Sequence, residues 1–221
     1  MVESQDLVLS TAKSPTYRIV ARLVSTLSRI LFRPCVEGVE HIPLTGPVLI
    51  APIHRSNVDF VFTLFISPRK VFFMAKDGIF RVPLFGRFLT PLGAFSVRRN
   101  SVDRESLRLA EEVLRRGQAL VLFPEGTRKE GPLVGELHAG AMFIAARTGA
   151  TVVPVGIAGS DRAMPVGAKL PRFARIHVVV GPPISPPLAE GRVNRSLVAE
   201  KTEELRRELQ AVYTRSLSRG Q

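Results

Sequence analysis

Apolar positions along the chain fall into two periodicities that alternate. From Pro15 to Phe32, Ile19, Val20, Leu23, Val24, Leu27, Ile30 and Leu31 recur at three- and four-residue steps, and Arg18, Arg22, Arg29 and Arg33 fall on the other side. That spacing predicts an amphipathic helix with a basic polar face. Short continuous apolar runs follow: Val48–Ile53, Lys70–Ala75, about Ala94–Val97, Ala119–Phe123, Thr151–Ile157 and Ile176–Val180. Between them lie helical patterns at about Ser56–Ile66, Asp103–Arg116 (stopped by Gly117) and about Leu137–Thr148 (stopped by Gly149). A charged helix, about Asn194–Leu217, closes the chain. Gly78, Pro83 and Gly86 interrupt Asp77–Pro91, which can hold only short helical turns. Runs such as VLIAPI, ALVLF and VVPVGI, apolar throughout and separated by helices, predict strands buried on both faces. The fold class is therefore α/β, a mixed, largely parallel sheet flanked by helices.

Composition fits one globular domain: 221 residues, 45% hydrophobic and 23% charged. The organisation expected is an N-terminal tail and amphipathic helix over 1–36, then a single domain over 37–221. One cysteine, Cys35, can form neither an internal disulfide nor a cysteine metal site. It is expected to be a small buried hydrophobe in an intracellular, redox-inert chain. The first fifteen residues carry Glu3 and Asp6 where a signal peptide would be basic, and no run of about 18 uncharged apolar residues offers a membrane-spanning helix. The net charge of +12 implies an anionic partner. Six of the 31 basic residues are lysines, so guanidinium forks dominate. With no tryptophan, two tyrosines and no helix-turn-helix or RNA-binding signature, nucleic acid is not the expected partner. For the first helix two roles stay open: packing on the core with solvated arginines, or lying in the interface of an anionic membrane.

The stretch APIHRSNVDF, Ala51–Phe60, carries the first candidate chemistry. Five residues along a regular helix is about 500°, so His54 and Asp59 meet only if His54 precedes the helix. Ser56 as N-cap, with Asp59 three residues on, makes a box-like S-x-x-D that permits this. Asp59 would then fix the imidazole tautomer and leave the other nitrogen as a base. Alternatively Asp59 only caps the helix and compensates its dipole, and His54 is a loop histidine. Other polar elements also follow strands: Arg98-Arg99 after the third, and FPEGTR, Phe123–Arg128, after the fourth. In parallel α/β sheets ligands gather at the strands' carboxyl ends, so His54, Asp59, Arg98, Arg99, Glu125, Thr127 and Arg128 are expected around one cleft, with Gly126 allowing close backbone approach. The chain holds no G-x-S-x-G, P-loop, G-x-G-x-x-G or H-E-x-x-H, and His41, His138 and His177 are isolated. The chemistry this leaves is a non-covalent base acting on a hydroxyl.

Four blocks, in order, resemble the lysophosphatidic acid acyltransferase family, the glycerolipid acyltransferases of the bacterial PlsC type. HRSNVD resembles the family's H-x4-D motif; GAFSVRR, Gly93–Arg99, resembles the second block; FPEGTR matches the third letter for letter; VVPVGI, with Pro154, resembles the fourth. Blocks and connections cover roughly residues 38–160. The chain departs from the pattern at Arg98, often acidic in the family, and at Ile53, commonly asparagine. The resemblance implies that His54 is general base and Asp59 its orienter, and that acyl passes from acyl-CoA or acyl-carrier protein, as co-substrate, to the free hydroxyl of 1-acyl-sn-glycerol 3-phosphate, giving phosphatidic acid. It implies neither a metal nor a cofactor. Arg99, Glu125 and Gly126 are expected to hold the phosphoglycerol part, with Thr127 and Arg128 at the same wall and Arg98 and Arg55 as helpers. Glycerol 3-phosphate or another lysophospholipid are the alternative acceptors, and a non-catalytic basic membrane-binding protein is the alternative of a different class. The expected location is the cytoplasmic face of the membrane, held peripherally through the first helix.

Overall fold

A computed structural model describes residues 15–76, 93–97, 104–168, 170–187 and 193–220. The sequence readings over Asp77–Pro91 and at Arg98 and Arg99 lie outside the described residues. Seven strands form one sheet among the described residues: β1 (Cys35–Glu37), β2 (Val48–Pro52), β3 (Val71–Lys76), β4 (Ala94–Val97), β5 (Ala119–Val121), β6 (Thr151–Ala158) and β7 (His177–Val180). Their order is β1-β7-β6-β2-β5-β3-β4. Every pairing is parallel except β6 with β7. The mixed, largely parallel α/β sheet expected from the apolar runs is thus the architecture found. Strand β2 lies at its centre, Ile50 facing Val121 of β5 on one side and Val153 of β6 on the other. All five of its residues are buried, as a strand covered on both faces requires.

Six α-helices occur among the described residues: α1 (Pro15–Phe32), α2 (Asp59–Ile66), α3 (Arg104–Arg115), α4 (Gly140–Thr148), α5 (Ser160–Ala163) and α6 (Arg195–Arg219). The crossover β2-α2-β3 steps one way along the sheet, whereas β4-α3-β5 and β5-α4-β6 step the other. Right-handed crossovers therefore place α2 on one face and α3 with α4 on the opposite one. The contacts agree: α1 packs on α2, while α3 and α6 pack on α4. The long α6 lies across β6 so closely that a Cβ at Gly156 would come within 2.4 Å of the Val212 carbonyl oxygen. Asn194 caps α6, its side chain accepting from the Ser196 and Leu197 amides.

Several sequence expectations are corrected. Strand β1 was not anticipated: three residues are too few to show an alternation. Cys35 is exposed rather than buried, because it opens this edge strand. Helix α2 begins at Asp59 and not Ser56, since Asn57 and Val58 form a turn first. Helix α1 buries Ser28 and Phe32 and half-buries Val24 and Leu31, whereas Ile19, Leu23, Leu27 and Ile30 are 61–67% exposed. Its apolar arc is wide enough to pack on the core along one edge and face outward along the other. No helix among the described residues is long and apolar enough to cross a membrane.

His177 in β7 is buried, and its imidazole is held below the usual histidine range, chiefly by desolvation and then by Arg175. Arg162 and Arg219 act in the same direction, and Glu37 opposes them. The unfolded chain therefore takes this proton first as pH falls below about 6.5, and stability drops there. The variant His177→Gln should lose less stability than the parent between pH 7.5 and pH 5, measured by chemical denaturation; identical losses in the two proteins would refute the assignment.

Candidate active site

The loops leaving β2 and β5 meet beyond the carboxyl ends of these adjacent parallel strands. Parallel register sets this up: Leu122 donates its amide to Ile50 at 3.0 Å and Ile53 donates to Val155 at 3.0 Å, so both loops depart from one rim. His54 stands two residues past the end of β2, ahead of the helix, as the geometry of H-x4-D demands. Its Nδ1 lies 3.0 Å from Asp59 Oδ2. The same oxygen accepts the amides of Arg55 at 2.6 Å and Ser56 at 2.7 Å. The Ser56 contact is half of the anticipated capping box. The other half is absent: the Ser56 hydroxyl accepts the Val58 amide at 3.5 Å rather than that of Asp59, and donates to the Met164 carbonyl at 2.8 Å. Asp59 is fully buried, and its Oδ1 has no partner among the described residues. A carboxylate in this position can accept the Nδ1 proton in a hydrogen bond, and Nε2 makes no hydrogen bond among the described residues.

FPEGTR closes around His54 from the other side. The Phe123 ring stacks on the imidazole, centroids 4.2 Å apart. Glu125 Oε2 accepts the His54 amide at 3.0 Å, and the Lys129 amide donates to the His54 carbonyl at 2.9 Å. Ring, N–H and C=O of one residue are thus all gripped by a single downstream turn. Beneath it lies a buried ion pair. Arg55 Nη1 reaches the two carboxylate oxygens of Glu125 at 3.1 and 2.8 Å. Its remaining donors go to the Gly131, His54 and Leu133 carbonyls, and its guanidinium lies 5.0 Å over the Tyr213 ring of α6. Glu125 Oε1 also accepts the Gly135 amide. Burial pushes the Tyr213 phenol above its ordinary pKa, with Arg55 opposing.

The expected site residues therefore divide. His54 and Asp59 come together as a pair. Glu125 and Arg55, expected at the phosphoglycerol wall, are 1% and 3% exposed and bonded to each other and to backbone. Both side chains point inward and hold the turn that carries His54. Gly126 and Thr127 are exposed and Arg128 is half-buried at the same turn. Gly126 has φ +68°, and a Cβ there would stand 2.7 Å from the exposed His138 ring, so any other residue would be strained and would displace that ring. Arg98 and Arg99 lie outside the described residues. Sequence reasoning missed Phe123 and Tyr213 as supports. An arginine set among residues bound for the interior was the available signal, because a buried guanidinium needs a carboxylate and an aromatic or carbonyl lining.

Removing one partner of such a pair strands the other charge. Glu125→Ala should lower the unfolding free energy by about 3–5 kcal/mol in urea denaturation. A loss below about 1 kcal/mol, the worth of a surface pair, would mean that the pair does not hold the turn.

Comparison with known proteins supplies the family. The acyltransferase family model matches residues 33–158. A chloroplastic 1-acyl-sn-glycerol-3-phosphate acyltransferase of Arabidopsis thaliana is 30% identical over 193 residues, covering 83% of this chain and 53% of that protein. A Bacillus subtilis 1-acyl-sn-glycerol-3-phosphate acyltransferase is 27% identical over 170 residues, covering 76% and 82%. The chain thus spans about half the length of the plant relative. The crystal structure of the 1-acyl-sn-glycerophosphate acyltransferase PlsC from Thermotoga maritima shares the fold, with a TM-score of 0.73, 24% identity and coverage of 90% of this chain and 78% of that one. The family match takes in β1 through β6, and with them both loops that build the His54 site: the chain belongs to the acyltransferase family.

Proposed function

We propose that the protein is an O-acyltransferase that transfers a fatty acyl group from acyl-CoA or acyl-carrier protein to the free hydroxyl of 1-acyl-sn-glycerol 3-phosphate. The observation that supports this reading is the 3.0 Å contact between His54 Nδ1 and buried Asp59, which suits Nε2 to act as the base. In the proposed step His54 Nε2 takes the hydroxyl proton as the oxygen attacks the thioester carbonyl. Asp59 stabilises the imidazolium. The tetrahedral adduct then expels the thiolate, which takes the proton from His54, so the products are ester and free thiol. No acyl-enzyme and no cofactor enter the scheme. Thr127 and Arg128, at the open side of the FPEGTR turn, are assigned to the acceptor phosphate, together with Arg99 and Arg98 from the resemblance of GAFSVRR. Arg55 and Glu125 act as positioning residues. Relatives named for the lysophosphatidic acid reaction favour that acceptor over glycerol 3-phosphate or other lysophospholipids.

We also propose that the enzyme works peripherally on an anionic, cytoplasmic leaflet, where long-chain acceptors reside. Ile19, Leu23, Leu27 and Ile30 repeat at helical spacing along the outward side of α1, flanked by exposed Arg22 and Arg29. Beside them a depression of about 560 Å³ is lined by Arg29, Arg33, Pro34, Val36 and Phe65, which suits a phosphate headgroup over an apolar floor.

The test is His54→Ala on purified protein with acyl-CoA and lysophosphatidic acid. Turnover should fall by about 10²–10⁴-fold while sedimentation with vesicles stays unchanged. Near-parental turnover would remove His54 as base. A parent protein that binds vesicles but transfers no acyl group from either donor to any of the three acceptors would favour the non-catalytic membrane-binding alternative.

A further inference from the structure

The segment 164–175, between α5 and β7, exposes apolar side chains that the fold does not use. Phe173 is 80% exposed, Leu170 78% and Val166 58%. Exposed Arg162, Arg172 and Arg175 surround them. The loop is not a loose excursion. Its first residue, Met164, accepts the Ser56 hydroxyl at 2.8 Å, inside the turn between His54 and Asp59. Arg172 donates its amide to the Ala163 carbonyl at 2.7 Å, pinching the loop's base. At its far end Ala174 and Ile176 donate to the carbonyls of Leu31 and Phe32, the last turn of α1, at 3.4 and 3.1 Å. One strap thus joins the turn that carries the base to the helix that carries the outward apolar stripe.

We propose that the exposed residues of 170–175 form a second membrane-inserting element, with Leu170 and Phe173 entering the acyl boundary of an anionic leaflet and Arg172 and Arg175 pairing with lipid phosphates. An aromatic and a leucine kept in water forgo the hydrophobic stabilisation that burial in lipid recovers. Alternation of apolar and guanidinium side chains matches the interface of an anionic bilayer in both layers, apolar below and phosphate above. Continuity with α1 makes the two elements a single docking face. Because Met164 is tied to Ser56, docking the strap also fixes the His54 turn relative to the lipid surface. This inference rests on the proposal that the protein works at an anionic membrane.

The chain contains no tryptophan, so one introduced indole reports on one place. Three full-length variants serve: Phe173→Trp in the strap, Leu23→Trp on α1, and Leu44→Trp in the loop entering β2, at the opposite end of the sheet. All three positions are exposed, so folding is not at stake. With vesicles of phosphatidylcholine and phosphatidylglycerol, the indoles at 173 and 23 should shift to the blue and be quenched by acyl-chain-brominated lipid, and the one at 44 should do neither. Leu170→Ser with Phe173→Ser should weaken vesicle partitioning by about tenfold or more. An indole at 173 that stays unshifted and unquenched while the one at 23 responds would overturn the strap and leave α1 docking intact; the face would then suit a protein partner instead. No response at either position, with no sedimentation on vesicles, would overturn both.

Discussion

A buried ion pair between Arg55 and Glu125 is the constraint on which the site depends. The two residues are 70 positions apart in the chain and come within 2.8 Å. Taking both charges out of water is costly, and the cost is offset only because nearly every donor and acceptor is used. Arg55 spends its fork on Glu125 and three carbonyls; Glu125 accepts from Arg55 and from the His54 and Gly135 amides. Such a pair tolerates few geometries, so it sets where the loop after β5 sits against the loop after β2. The Phe123 ring is then stacked on His54 and the Lys129 amide reaches the His54 carbonyl. Parallel pairing of β2 with β5 brings the loops to one rim; the ion pair fixes them there to the tenths of an ångström that a base requires.

Legibility in the sequence follows the range of the interactions. Strands β2, β5 and β6 are readable because burial on both faces writes a continuous apolar run. The His54–Asp59 pair is readable because both partners lie in one strand-to-helix turn, where helix geometry leaves a single way for them to meet. Three-residue β1 and the exposure of Cys35 depend on which strand forms the sheet edge, which no local pattern states. The mutual pairing of Arg55 and Glu125 is illegible for the same reason. A charged side chain in a motif reads as a ligand until its partner 70 residues away is known. Ser56 shows a subtler case: its spacing to Asp59 suggests a reciprocal cap, yet its hydroxyl is claimed by Met164, more than a hundred residues downstream.

Helix periodicity likewise says that α1 is amphipathic but not which part of its apolar arc is covered. Phe32 goes inward, packing edge-on against Phe62 with ring centroids 5.3 Å apart, and Ile19, Leu23, Leu27 and Ile30 line the outside. The core thus consumes only one edge of the helix. The strap ending at Arg175 and the depression lined by Arg29 and Arg33 both adjoin the C-terminal end of α1.

The central claim is that Asp59 holds the His54 imidazole with its proton on Nδ1, so that Nε2 is free to act. Nitrogen-15 NMR of the histidine rings, with His54 assigned by comparison with His54→Ala, reads this directly. At a pH where the ring is neutral the account predicts the Nδ1–H tautomer: a protonated-nitrogen shift at Nδ1 and an unprotonated one at Nε2. It also predicts that Asp59→Asn disturbs this preference. A His54 ring that carries its proton on Nε2, unchanged by Asp59→Asn, would contradict it.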